Sequence, residues 1–475
     1  MHPLLAIRDQ VLPLLRPTQV DKDRAHGCFS IIEQAVNCVA QERKVQIVFV
    51  RLEGSAGRKQ TQLRSNPDLD VFIGLPSSTL PEIRGTGKPV KSTVQNLLKR
   101  LVRDVALEAA SMAGCQNIKV AYAEHPYVTA TFDEFQVDLV FCFDLSPEYI
   151  AERGPITAVD RTPHHSRFVD EHLTTDQRDD VRLLKAFFQA CWVYGDASPI
   201  GRSGFTGFTA EMLIYYRQNI VSALEMLEYL PTEPLDYFGR PKANLRDAFS
   251  NDLLIIVDPT DRKRNVAASI SERAYRYARH QAAQVLKHPS KRFFLPRRIP
   301  VLPAQKEADL ESNYFVVEYK DETGWHYTKT RDKIYRYFTH LCQFLKSEQT
   351  GESRFGPSTF EEVFENDVFA VALHVASPSI SPSYTRVGPP PHLDDAVRRF
   401  CDTHPSAYLQ NGRYQVELSR SYSVAEKAVE GYLTQYPVAP KLHLVEVTRS
   451  GTTLTGKRAL WILKNGVLPF LGDHI

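Results

Sequence analysis

Apolar residues recur at helical spacing through 20–43 (Ile31, Ile32, Ala35, Val36, Val39), which predicts a helix there. A dense β-type run, VQIVFVRL, follows at 45–52 and stops at Gly54-Ser55. LDVFIGL at 69–75 reads as a second strand, and residues 90–113 read as one long amphipathic helix. NIKVAYAEHPYVTATF (117–132) and FQVDLVFCFDL (135–145) read as two strands joined by a polar turn at Asp133-Glu134. Together these elements predict a small α/β domain ending near residue 150.

The pattern then changes. Residues 160–290 read as mostly helical: TTDQRDDVRLLKAFFQACWVYG with a cap at Thr174 or Thr175, then GFTAEMLIYYRQNIVSALEMLEYL, then ISERAYRYARHQAAQVLK. FFLPRRIPVLPAQ is Pro-rich and suggests a boundary near 296–304. Strands return from about 312 (SNYFVVEYK, VFAVALHVA), with helices at 331–347 and 393–403 and a Ser/Pro-rich loop, SPSISPSYTRVGPPPH, between them. No internal repeat is visible.

Composition narrows the class. A chain of 475 residues is too long for one core, so several domains are expected. The divisions fall at 1–150, 151–300 and 301–475, in an α+β multidomain arrangement. No apolar run approaches the ~18 residues that span a bilayer. The N-terminal stretch lacks the apolar core of a secretory signal, so a cytoplasmic protein is expected, with no membrane partner. Seven scattered cysteines without a CxxC pair argue against a disulfide framework and against a zinc site. The net charge of +2 hides two basic clusters, Lys287–Arg298 around Phe293-Phe294 and DRKRN at 261–265. Basic groups interleaved with aromatic rings suit a nucleic-acid backbone and its bases, and a solvated basic face is the competing reading.

The sharpest chemistry lies in GSAGRKQTQLRSNPDLDVFIGL (54–75). Asp68 and Asp70 are two apart on a strand, so both carboxylates share one face. Inside an apolar run, two adjacent carboxylates are tolerated if a cation lies between them. Asp138, in VDLVFCF, is a third acid in a buried-type strand, where an unpaired charge is costly. Strand, Gly-Ser turn, a short basic helix and Asp-x-Asp form the arrangement of template-independent nucleotidyltransferases. The turn offers backbone N–H groups and the Ser55 hydroxyl to a triphosphate. The acids offer hard oxygens to Mg²⁺ in a two-metal site.

Further stretches carry a resemblance. YAEHPYV (122–128), AVDRTPHH (158–165), VRLLKAFFQACWVYG (181–195), GFTGFTAEML (204–213) and DPTDRKRNVAASIS (258–271) resemble the class I, archaeal-type CCA-adding enzymes. RPTQVDKD (16–23), VGPPPHLDDAVRRF (387–400) and YLQNGRYQVELSRSY (408–422) extend the likeness over almost the whole chain. The resemblance implies a nucleotidyltransferase (polymerase β-like) head, a helical neck or central domain, and an α/β body and tail. The body and tail would bind the acceptor and TΨC arms of tRNA. It implies addition of C, C and A to the tRNA 3′ end from CTP and ATP, with Mg²⁺; the family often works as a homodimer.

By the same resemblance, Asp68, Asp70 and Asp138 are the catalytic, metal-binding acids. Ser55 and Arg58 lie near the triphosphate. Thr162, His165, Lys185 and Tyr194 hold the triphosphate or ribose, and Arg264 reads the incoming base. Asp160 and Glu211 read as structural. The chain departs from the family where Thr61 arrives one residue late after Arg58, and where IYYRQNI replaces a Tyr-Gly-Ser-Phe-like segment. Two other classes compete: a nucleotidyltransferase with another acceptor (oligoadenylate or cyclic-dinucleotide synthesis, or specialised RNA-end repair), and a silent RNA-binding protein. The three retained acids argue against the latter.

Overall fold

The computed structural model describes residues 2–65, 68–80, 89–122, 125–303 and 310–471. The chain divides into two compact units: Met1–Ser198 with Ser203–Arg297, and Pro199–Arg202 with Arg298–Ile475.

The first unit begins with two helices, α1 (Leu4–Leu15) and α2 (Gln19–Glu42). A reciprocal capping box between Thr18 and Asp21 fixes the start of α2. Its stripe of Phe29, Ile32, Ala35, Val36 and Val39 is buried, whereas Ile31 points to solvent. Strand β1 (Phe49–Leu52) is shorter than the apolar run that predicts it, and β2 (Asp68–Pro76) matches its prediction closely. Helix α3 (Lys91–Leu101) runs through a π-helical turn at Val102–Ala106 into Leu107–Met112.

Three strands follow: β3 (Gln116–Tyr122), β4 (Pro126–Phe132) and β5 (Phe135–Asp144). The segment 117–132, which reads as one strand, is thus a hairpin, with Tyr122 paired to Pro126. Residues 123 and 124 lie outside the described set. Pro126 has no N–H to donate and opens its strand, which is where a sheet accepts proline.

The five strands form one sheet, in the order β1-β2-β5-β4-β3. Only β2 and β5 run parallel. Alternation splits the sheet by face. Leu69, Val71, Ile73, Leu75, Val137, Leu139, Phe141 and Phe143 pack into the core with α2 and α3. Asp68, Asp70, Phe72, Asp138 and Val140 occupy the other face, where Phe49, Phe72, Val140 and Cys142 make a small second cluster.

The rest of this unit is mostly helical: α4 (Pro147–Arg153), α5 (Thr162–His172), α6 (Thr175–Ala190), α7 (Gly207–Arg217), α8 (Ile220–Tyr229), α9 (Lys242–Ala248) and α10 (Glu272–Lys287). Thr174 caps α6 through a box with Gln177. The stretch 207–230, predicted as one helix, breaks into α7 and α8. Gln218 takes a left-handed φ of 70°, and the Asn219 side chain accepts the Ser222 N–H at 3.0 Å, a local competition with the helix ladder typical of asparagine. A short hairpin, β6 (Val257–Asp258) and β7 (Asp261–Asn265), interrupts the helices at DPTDRKRN.

The second unit holds β8 (Tyr314–Asp321), α11 (Tyr327–Lys346), β9 (Ser358–Glu365), β10 (Val368–Val375), β11 (Ser383–Val387), α12 (Asp394–Thr403), β12 (Tyr408–Gln410), β13 (Arg413–Ser419), α13 (Ala425–Gln435), β14 (Leu442–Thr448) and α14 (Leu454–Trp461). Its main sheet has the order β14-β8-β10-β9, and a smaller one the order β11-β13-β12. Strand β11 lies inside the Ser/Pro-rich stretch that reads as loop. It is an edge strand, where neighbouring prolines leave pairing intact on the inner side. Among the described residues no helix is long and apolar enough to cross a membrane, and the seven cysteines are free thiols.

Candidate active site

Strand β1 ends in tight turns over Gly54–Lys59, and the short basic helix expected there does not form. A single turn closes through the Gly57 N–H to the Glu53 carbonyl, and the Thr61 N–H returns to the Ser55 carbonyl at 3.0 Å. Gly54 has a φ of 63°, and a Cβ on it would lie 1.9 Å from Asp70 Oδ2. Only glycine meets both demands, so the Asp70 carboxylate rests directly on the turn's backbone.

Asp70 and Asp138 are register partners on the parallel strands β2 and β5, and Asp68 precedes Asp70 by two residues on the same face. Burial pushes the Asp70 carboxyl up to about 6, helped by the charges of Asp138 and Asp68 and opposed by Lys59. Asp68 is raised by burial and by Asp138. Among the described residues no three His, Cys, Asp or Glu side chains converge tightly enough to cage a metal ion. Asp68 is exposed, and Asp70 and Asp138 are half-buried beside it. Hard oxygens that repel one another on one face fit a divalent cation whose remaining positions go to phosphate and water.

Behind the turn lies a buried charge network. Lys59 Nζ donates to Glu211 Oε2 at 2.8 Å, and the Thr61 hydroxyl donates to Glu211 Oε1 at 2.6 Å. Lys185 Nζ reaches the Thr61 carbonyl (3.2 Å), the Thr61 hydroxyl (2.9 Å) and Glu211 Oε1 (3.2 Å). Burial alone would raise Glu211; the two lysines overcome it and hold the carboxyl down to about 2. Lys185 is lowered by burial, although Glu211 opposes this.

The late Thr61 now has a structural account. Gln60 takes a left-handed φ of 50° and stays exposed, so Lys59 and Thr61 both turn inward. Arg182 fastens this bend, donating to the Gln62 carbonyl at 3.0 Å and to the Gln60 carbonyl.

Tyr194 joins the same place. A Cβ on Gly207, the first residue of α7, would lie 3.2 Å from Tyr194 Oη and 3.3 Å from Lys185 Nζ. The Tyr194 phenol is pushed up by burial and by the charges of Glu211, Asp68 and Asp70.

A second cluster centres on Asp258. Its Oδ2 accepts from Arg264 at 2.8 Å and meets His165 Nε2 at 2.8 Å. Its Oδ1 accepts the Thr260 N–H and hydroxyl at 2.8 and 2.7 Å. His165 also stacks on Phe208 with ring centroids 3.9 Å apart, and Lys59 Nζ lies 4.8 Å from that ring's centroid. Phe208 therefore joins the two clusters. Burial lowers the His165 pKa, and the Asp258 carboxylate opposes this. Thr162 begins α5, three residues before His165 and on the same face.

The structure thus gathers Lys185 and Tyr194 at the turn, and His165 and Arg264 on one carboxylate. Arg58 reaches outward to Asp170 at 3.3 Å. Asp160 accepts the Phe143, Ile156 and Thr157 N–H groups, a structural hub for the loop after β5. Sequence reasoning missed Asp258 and Phe208. LLIIVD at 253–258 carries the signal that singles out Asp138, an acid ending an apolar run. Phe208 has no such mark, since an aromatic residue opening an apolar helix reads as core.

A mixed sheet bearing paired acids on its two parallel strands, with a glycine turn under one of them, defines a nucleotidyltransferase. Comparison with known proteins carries this further. The family models described as "tRNA nucleotidyltransferase, second domain" and "CCA-adding enzyme, C-terminal domain" match residues 179–295 and 341–454. A CCA-adding enzyme of Methanosarcina mazei is 28% identical over 445 residues, 89% of this chain and 88% of that protein. One of Saccharolobus solfataricus is 32% identical over 301 residues, 62% of each chain. A solved cytoplasmic RNA terminal U-transferase aligns at a TM-score of 0.44 with 14% identity, covering 62% of this chain and 99% of that one. Along most of its length the chain is similar to archaeal CCA-adding enzymes, and it carries a tRNA nucleotidyltransferase second domain and a CCA-adding enzyme C-terminal domain.

Proposed function

We propose that this protein adds C, C and A to the 3′ end of tRNA from CTP and ATP, without a nucleic-acid template. The terminal hydroxyl gives up its proton to solvent, its oxygen bonds to the α-phosphorus, the bond to the bridging oxygen breaks, and pyrophosphate leaves. The observation that carries this reading is Asp70 abreast of Asp138, resting on the Gly54 turn. Asp68, Asp70 and Asp138 would hold Mg²⁺, which when bound acidifies the attacking hydroxyl and offsets charge on the leaving group.

Ser55 and Arg58 orient the triphosphate. Lys185 has three N–H contacts inside the protein, so it meets a phosphate oxygen by exchanging Glu211 for it. Thr162, His165 and Tyr194 hold the sugar and phosphate end. Arg264 presents a planar fork to the base, aimed by Asp258. Residues 301–475 carry the contacts to the acceptor and TΨC arms. The enzyme works in the cytoplasm and, as is common in the family, as a homodimer, which sedimentation at working concentration checks.

The test is incorporation of labelled CTP and ATP, with Mg²⁺, into tRNA ending at the discriminator base, at C or at CC. Stepwise addition of C, C and A is expected. Incorporation without tRNA would transfer the reading to a nucleotidyltransferase with another acceptor. Tight tRNA binding with no incorporation would leave an RNA-binding protein. Arg264→Ala is expected to reduce discrimination between CTP and ATP by about tenfold or more while changing triphosphate affinity less, because one bidentate base contact supplies roughly 1–3 kcal/mol of discrimination. Unchanged selectivity in single-turnover assays would remove Arg264 from the base-reading role.

A further inference from the structure

A cavity of about 320 Å³ lies on the far side of Gln60, lined by Arg16, Lys22, Arg178, Asp179, Arg182 and the start of α6. It is at the small end of ligand pockets, the scale of a phosphate or diphosphate rather than a nucleotide. Four cations face one carboxylate. Asp179 is already spent: Arg16 Nε and Arg182 Nη1 each donate to its Oδ1 at 2.8 Å, and Arg16 Nη2 reaches its Oδ2. Arg178 holds Asp170 at 2.9 Å through Nη2, but its Nε is buried with no acceptor. Burial lowers the Arg182 guanidinium, and the charges of Arg16 and Arg178 add to that push. Among the residues that line the cavity, four cations thus face one carboxylate, with Asp170 holding Arg178 from outside it. A buried N–H without an acceptor costs free energy that a bound anion would recover.

We propose that this cavity is a second phosphate-binding site, adjoining the triphosphate turn but separate from it, which takes a pyrophosphate-sized oxyanion or one phosphate of an RNA backbone. Lys22 supplies an ammonium, and Arg178 a guanidinium whose buried Nε lacks an acceptor. Arg182 links the site to catalysis, because the guanidinium that lines the cavity also holds the Gln60 and Gln62 carbonyls around Thr61. An anion that competes for Arg182 loosens the bend that turns Lys59 and Thr61 inward. Occupancy by pyrophosphate would therefore report product accumulation to the turn that grips the next triphosphate.

The experiment is calorimetric titration of the full-length protein with pyrophosphate, in EDTA and with a saturating non-hydrolysable CTP analogue filling the triphosphate site. One molar equivalent of pyrophosphate is expected to bind, about tenfold or more weaker in Lys22→Ala and restored in Lys22→Arg. A parallel titration of tRNA against salt separates the sources. If an RNA phosphate is the occupant, Lys22→Ala lowers the slope of log K against log salt by about one and leaves pyrophosphate binding absent in both proteins. Loss of all pyrophosphate binding when the analogue is present, together with an unchanged tRNA salt slope in Lys22→Ala, would overturn the proposal. So would pyrophosphate affinity equal in wild type and Lys22→Ala with that slope unchanged. Neither titration needs turnover, so failure here is distinguishable from failure of the proposed reaction.

Discussion

Asp70→Asn is expected to abolish nucleotide addition while making the metal-free protein more stable. The two effects share one cause. Asp70 sits against the Gly54 backbone, level with Asp138, and its carboxyl is raised from 3.8 to about 6 by burial and by the neighbouring acids. An acid whose folded pKa is raised binds more protons folded than unfolded between those values. Stability therefore falls as pH rises through about 4 to 6, and the full penalty, of order 1–3 kcal/mol, remains above that window. Asparagine keeps the shape and removes the charge, so the variant escapes the penalty at pH 7.5. The same charge is needed to bind a divalent cation, and its loss is expected to cost about 10³-fold or more in the rate of addition. Melting in EDTA and in Mg²⁺ checks both halves. Wild type should gain stability on adding Mg²⁺ by mass action, and the variant should start higher and gain little. A variant that melts lower than wild type in EDTA, or that still gains as much from Mg²⁺, would contradict the assignment.

That trade between stability and function explains which parts of the protein were legible in its sequence. Alternation exposed β2 and β5 because Leu69, Val71, Ile73, Val137, Leu139 and Phe141 must all face one core. The same alternation made Asp70 and Asp138 conspicuous on the opposite face. Helices α2, α6 and α10 were legible because each has an apolar stripe and a local cap. What was hidden depends on single residues or on distant partners. The break between α7 and α8 rests on one left-handed Gln218 and one Asn219 side chain inside a continuous helical pattern. The hairpin of β3 and β4 is marked only by the short stretch Glu124-His125-Pro126, which the apolar residues on either side obscure. Strand β11 looks like loop because a pairing partner thirty residues away decides its state. In the site, Asp258 and Phe208 acquire meaning only when the fold brings His165, Arg264 and Lys59 to them. The resemblance to known enzymes pointed to His165 and Arg264, but not to the carboxylate that holds both.

Glu211→Ala is expected to be among the most destabilising single changes in the first unit. The side chain is buried and balances two buried ammonium groups, Lys59 at 2.8 Å and Lys185 at 3.2 Å, while accepting from the Thr61 hydroxyl. Removing one partner of a buried ion pair leaves an uncompensated charge, at a cost of about 3–5 kcal/mol; here two charges are stranded. Unfolding should begin roughly 5–10 °C lower. Glu211→Gln keeps the volume and loses only the charge, so it isolates the electrostatic part. The Glu211 carboxyl is lowered from 4.5 to about 2, so its stabilisation is complete above pH 4.5 and is lost as pH falls through about 2. The stability gap between wild type and Glu211→Gln should accordingly shrink on acidification across that window. A gap independent of pH would mean that packing, not charge, holds the network. The triple variant Glu211→Met with Lys185→Met and Lys59→Met supplies the second readout, because a buried ion triad replaced by apolar residues of similar size is often neutral or stabilising. That protein should recover much of the lost stability, yet remain slow in nucleotide addition with a raised KM for CTP and ATP. Recovery of stability without recovery of activity would show that these charges are kept buried beside the turn for the triphosphate they are exchanged with, rather than for the fold.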